Sequence, residues 1–329
     1  MTKHTSPGCM RLRTAARINA SLPVDSSWRC DFAEPRSIKE EPTTLIPTTE
    51  DFWREKPNKK DIYPVTREKY KNLVALLINN KKFTLKHLNR RGAEEDAEKL
   101  LKDLGYEVVK YTDLTAKAID EALFKFSEHP KLQGTDNVIV VLMSHGKLGT
   151  ILGVDWTPKA TPLETSKSDD KEPDEFPIRN IYKHLGPEKC PALLNKTKIH
   201  IIQASRGDNS HPEEGAVLVS DCGPDEIRNQ EISPYCWYRF DQIEENFISF
   251  HACTPDTKAY RDTVRGSLLI QFIVDVFNTH AYEDDIEKLF RKVMRRFEEY
   301  RPSNIRQMPI MDRSTLTRSF YFYPGLNIV

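Results

Sequence analysis

Two short peptides carry residue types that can do chemistry together. Ser144-His145-Gly146 follows the apolar run Val138 to Met143, and Gln203-Ala204-Ser205-Arg206-Gly207 follows the run Ile199 to Ile202. A histidine can take up and return protons at neutral pH, and a hydroxyl beside it is a potential nucleophile. Backbone N–H groups at Gly146 and Ser205 would supply the donors that stabilise a carbonyl oxygen as it gains charge. Such a set looks like a protease nucleophile site with its oxyanion hole. Taken singly, each residue has a plainer reading. A histidine at a strand end is commonly structural, a serine can cap a turn, and Arg90-Arg91 in a charged run commonly lies on a solvated face.

For the two peptides to meet, their strands must be parallel neighbours, because open α/β sheets place reactive side chains beyond the carboxyl ends of their strands. The spacing of apolar residues predicts strands at Leu73–Asn80, Tyr106–Lys110, Asn137–Met143, Lys198–Gln203, Phe247–Cys253 and Leu316–Tyr323. Helical patterns alternate with them. Thr115 can cap a helix carrying Ile119, Ala122, Leu123 and Phe126 on one face, and Gly105 and Gly186 stop two others. Ile286, Leu289, Phe290, Val293 and Phe297 form one stripe on a charged helix, whereas Leu268 to Phe277 is apolar almost all round. Continuous apolar strands alternating with helices imply an α/β fold, a three-layer sandwich with a mostly parallel six-stranded sheet flanked by helices.

Residues 1–60 are rich in Pro, Thr, Glu and Lys and have no sustained period, so they read as a mostly disordered leader. Thr157–Glu175 and Gly207–Asn246 are long aperiodic loops. The 329 residues contain 49 Lys plus Arg and 49 Asp plus Glu, so no global field draws the chain to nucleic acid or an anionic membrane. No run is long and apolar enough to span a bilayer, and no secretory signal is evident; basic residues before Asp25 only faintly suggest a transit peptide. Six cysteines without C-x-x-C spacing suit a reducing, cytoplasmic setting. A metal site drawn from His200, His211, Cys222, Cys236, His251 and Cys253 matches no familiar ligand spacing, so no metal and no cofactor are expected.

The peptide Q-A-S-R-G differs by one atom from the Q-A-C-R-G nucleophile signature of caspases, which have a histidine about fifty residues upstream; here His145 lies 60 positions before Ser205. Further stretches follow in the same order: RRGAEED at 90–96, LGYEV at 104–108, NFISFHACTPDTKAYRDTVRGS at 246–267, LFRKVMRRFE at 289–298 and QMPIMDRSTLTRSFYFYPGL at 307–326. From about Asp61 onward the chain resembles the caspase family, peptidases that cut after aspartate, and is most similar to the inflammatory, interleukin-converting branch. The resemblance implies His145 as general base, Ser205 at the nucleophile position, and Gly146 with Ser205 as oxyanion donors. Arg90, Gln203 and Arg261 would grip the substrate aspartate, with Tyr260 walling adjoining subsites and Ala259 where substrate backbone pairs.

The same resemblance divides the chain into a large-subunit region at 61–225, a linker at 226–245 and a small-subunit region at 246–329. Asp208, Asp221, Asp225 and Asp241 are candidate processing positions. Expected partners are protein substrates with Asp at the cleavage site and a second copy or a related caspase as dimer mate. No death-fold domain is expected in residues 1–60. Serine in place of cysteine implies a dead or nearly dead enzyme, either a natural pseudoprotease or an engineered inactivation. An active serine hydrolase is the weakest reading.

Overall fold

Uninterrupted apolar runs become the middle of a sheet. The computed structural model describes residues 44–57, 59–90, 95–158, 172–207, 218–220, 245–262, 265–300 and 306–326. All of these lie in one unit of contacts, Ser37–Val329; the other unit, Met1–Arg36, is outside the described residues. The central strands are β1 (Val74–Asn79), β2 (Glu107–Thr112), β3 (Asn137–Met143), β4 (Thr197–Gln203), β5 (Phe247–His251) and β6 (Ile310–Asp312). Their order in the sheet is β6-β5-β4-β3-β1-β2. The first five are parallel, and β6 runs antiparallel to β5. Every residue of β1, β3, β4 and β5 is buried, as strands covered on both faces must be. Edge strand β2 is half exposed.

Side chains alternate between two cores. Ala75, Leu77, Ile139, Val141, Ile199 and Ile201 face helices α1 (Glu95–Asp103), α4 (Leu268–His280) and α5 (Ile286–Glu299). Val74, Leu76, Ile78, Val138, Val140 and Leu142 face α2 (Ala116–Ser127) and α3 (Arg179–Leu185). This is the three-layer sandwich that the strand and helix patterns imply. The expected caps and stripes are present. Thr115 Oγ1 accepts the Ala118 N–H, Gly105 ends α1 at φ +94°, and all five residues of the α5 stripe are buried.

The sixth strand differs from the expected one. Leu316–Tyr323 forms no ladder; a single bridge joins Ser319 to Ile62, and the sheet is completed by Ile310–Asp312. The alternation that suggested a strand has another cause: Phe320 and Phe322 enter one core while Tyr321 and Tyr323 enter a separate cluster with Ile62 and Val65. Period two here records a segment wedged between two apolar clusters. Residues 44–57, part of the expected leader, also pack on the body. Thr49 caps the short helix Glu50–Glu55, and Phe52 and Trp53 meet Tyr321 and Tyr323 edge-on or tilted. Six residues make too short a helix for a period to stand out.

Candidate active site

Register brings the two reactive peptides together. Strands β3 and β4 pair with Met143 opposite Gln203, and the Ser144 N–H donates to the Gln203 carbonyl at 3.1 Å. His145 and Ser205 therefore occupy matching places two residues beyond adjacent strand ends. Parallel strands lie about 4.8 Å apart, so the two residues leave the sheet side by side. Gly146 completes the approach: a Cβ there would lie 2.9 Å from the Ser205 carbonyl oxygen and 2.8 Å from Ala204 Cβ. Only a residue without a side chain lets these backbones run this close.

His145 is buried and oriented by its surroundings. Its Nε2 lies 2.7 Å from the Leu88 carbonyl oxygen, and Phe83 meets the ring edge-on at a centroid distance of 5.1 Å. A carbonyl can only accept, so Nε2 carries the proton and Nδ1 of the neutral ring is the basic nitrogen. The Leu88 carbonyl thus does what a buried carboxylate does in serine hydrolases, without a charge. Leu88 itself packs with Phe83, Leu152 and Trp156.

Ser205 is fully buried and tied to the segment after β5. Its Oγ accepts the Ala259 N–H at 2.9 Å and lies 3.5 Å from the Ala259 carbonyl oxygen. On either side, the Ala252 N–H donates to Ile202, the Arg206 N–H to Thr257 and the Asp256 N–H to Arg206. Cys253 Sγ donates to the Thr257 carbonyl at 3.2 Å, directly beneath the same loop. The Ala259 N–H, expected at the substrate backbone, is engaged with Ser205.

The expected acid-binding residues are all buried, and two of them lie on neighbouring segments. Arg90, in the loop after β1, is buried and donates from Nη1 to the Asn80 carbonyl at 3.3 Å. Arg261, buried on the short strand Tyr260–Asp262, donates from Nη2 to the carbonyl of Asn89 at 3.4 Å, so its guanidinium lies against the Arg90 segment. Gln203 is fully buried at the end of β4. Tyr260 is half-buried, and its N–H donates to Gln307 Oε1 at 2.8 Å while Gln307 Nε2 donates to the Ala252 carbonyl. Two guanidinium groups in a buried site can hold one carboxylate bidentately.

Sequence reasoning missed Gln307, Asn80 and the Leu88 carbonyl. Asparagine and glutamine that hold backbone leave no periodic signal, and a carbonyl leaves none in any sequence. Asp208, Asp221, Asp225 and Asp241 lie outside the described residues, as do His211, Cys222 and Cys236. The remaining members of that alternative ligand set are engaged separately. His200 Nδ1 is 3.2 Å from Ser249 Oγ, His251 Nε2 is 3.7 Å from Asp312, and Cys253 bonds carbonyls. Burial lowers the pKa of His200 to about 3 and of His251 to about 4; nearby Arg206 lowers the latter further and Asp312 opposes it.

A family model described as the caspase domain matches residues 72–321. Caspase a of Danio rerio is 40% identical over 89% of this chain and 73% of its own length. Caspase-1 of Rattus norvegicus is 34% identical over 83% of this chain and 64% of its own length, and caspase-4 of Mus musculus is 33% identical over 98% and 83%. The crystal structure of caspase-1 from Spodoptera frugiperda shares the fold, with a TM-score of 0.61 at 20% identity, covering 87% of this chain and 99% of that one.

Proposed function

Because the chain belongs to the caspase family, we propose that it is an aspartate-directed cysteine-peptidase scaffold of inflammatory cell death in which Ser205 has replaced the nucleophile. It binds acidic protein substrates in the cytoplasm and cuts them very slowly or not at all. His145 is the general base, Gly146 and Ser205 are the oxyanion donors, and Arg90, Gln203 and Arg261 form the aspartate pocket. Tyr260 and Ala259 border it.

The observation that carries this reading is the hydrogen bonding of Ser205. Its Oγ accepts the Ala259 N–H at 2.9 Å and lies 3.5 Å from the Ala259 carbonyl oxygen. A thiol has a few per cent thiolate at neutral pH and is intrinsically very nucleophilic, whereas a serine hydroxyl needs its proton removed as it attacks. Here the oxygen already gives a lone pair to the Ala259 N–H, and the shorter C–O bond sets it back from the scissile carbon. The arginines do not depend on the nucleophile, so binding survives where turnover does not.

Turnover and affinity on a peptide ending in Asp, measured for this chain and for Ser205→Cys, test the proposal. The expected result is similar affinity in both and cleavage only in the cysteine form. Robust cleavage by the serine form would overturn it.

A second reading, a pseudocaspase that pairs with active relatives as a regulator, is favoured by the open edge of β6. Among the described residues that strand is paired on one side only, with β5. Unpaired strand edges invite a strand from another chain. Dimerisation with an active relative and no recovery of cleavage in Ser205→Cys would favour this role.

A further inference from the structure

Asn80 uses almost every hydrogen-bonding group it has, and three of its partners, Met143, Leu152 and Arg90, adjoin the candidate site. It is fully buried immediately after β1. Its N–H donates to the carbonyl of Met143, two residues before His145, at 2.9 Å. Its Nδ2 donates to the carbonyls of Leu152, at 3.2 Å, and Leu114, at 3.0 Å, and its Oδ1 accepts the Leu114 N–H at 2.8 Å. Its own carbonyl accepts Arg90 Nη1 at 3.3 Å. Two carbonyls and one N–H around the side chain fix its orientation, because a flipped amide would set oxygen against oxygen.

The Leu152 carbonyl also accepts the Ser144 hydroxyl at 2.8 Å, and the Leu152 N–H donates to the His145 carbonyl at 2.9 Å. One asparagine thereby stands one hydrogen bond from Arg90 and two from His145. No glutamine, serine or aspartate presents two donors and an acceptor at this reach. Buried networks of this kind hold a geometry only while every member is satisfied.

We propose that Asn80 is a positioning residue that holds the aspartate-gripping Arg90 and the histidine segment 143–145 in one fixed relation. The inference rests on the proposed roles of Arg90 and His145. It predicts that loss of the Asn80 amide disturbs the acid pocket and the imidazole together.

The test needs no cleavage and uses the chain with Ser205 in place. Two quantities are measured for the parent, for Asn80→Ala and, as a control for general loss of stability, for Val293→Ala, a buried core truncation on α5. The first is the affinity ratio for a peptide ending in Asp over its Asn counterpart. The second is the ring tautomer of His145, read from histidine-selective nitrogen NMR and assigned with a His145→Gln sample. Asn80→Ala should lower the affinity ratio about tenfold, the scale of a lost buried hydrogen bond, and replace the single Nε2–H tautomer by a mixture. Val293→Ala should change neither. If Asn80→Ala moves neither quantity, or only one, the coupling is refuted. A parent without preference for Asp would instead sink the pocket assignment, and the imidazole readout would then decide the role of Asn80 by itself.

Discussion

At the scale of single residues, the site combines groups that must be charged with groups that must only be placed. Replacing Arg261 by Lys keeps the charge but loses the fork that grips a carboxylate by two bonds. Affinity for the Asp-ended peptide should fall about tenfold to a hundredfold in a calorimetric titration, while the melting temperature stays nearly constant. Gly146→Ala should act oppositely. Its methyl would press on backbone at 2.9 Å, so the fold should lose about 1–3 kcal/mol in denaturant unfolding. The charged residues of the proposed site stand out in the sequence because Q-A-S-R-G and S-H-G follow apolar strands and arginines are conspicuous there. Leu88 was not, since its contribution is a carbonyl; nor were Asn80 and Gln307, whose work is to hold backbone in place.

At the scale of elements, burial explains which patterns could be read in advance. Strands covered on both faces need unbroken apolar sequence, so β1, β3, β4 and β5 announce themselves. Helix α5 does too, because its buried stripe sits among charged residues. Phe290 of that stripe stacks on Phe250 of β5 with centroids 4.2 Å apart, and Phe290→Ala should cost about 3–5 kcal/mol by chemical denaturation. Strand β6 stayed hidden: three half-buried residues, Ile310–Asp312, carry too few apolar positions to show a period. The Leu316–Tyr323 segment misled for the converse reason, since two apolar clusters on opposite sides impose the same alternation that a ladder does. The helix Glu50–Glu55 buries no residue fully and depends on contacts with Tyr321 and Tyr323 that no local pattern encodes.

At the scale of the whole molecule, buried imidazoles contribute to the response to acid. The folded-state pKa values of His200 and His251, about 3 and about 4, lie below the ordinary 6.5 because burial disfavours the charged ring. Between pH 6.5 and 4 the unfolded chain binds protons that the folded chain does not, so stability falls as pH falls through that window. Each ring contributes about 1 kcal/mol per pH unit, and nothing above pH 7. His200→Asn should reduce the slope of melting temperature against pH below 6.5 and leave the plateau above 7 with the same slope; an unchanged acid slope would contradict this account.

Ser205 and Ala259 touch across 54 positions of sequence, and β4 meets β5 in five register pairs from Lys198–Phe247 to Ile202–His251. Covalent continuity between residues 207 and 245 is therefore not what joins the two sides of the candidate site. A molecule nicked anywhere along that span should elute as a single particle from a sizing column at neutral pH and resolve into two polypeptides only in hot detergent.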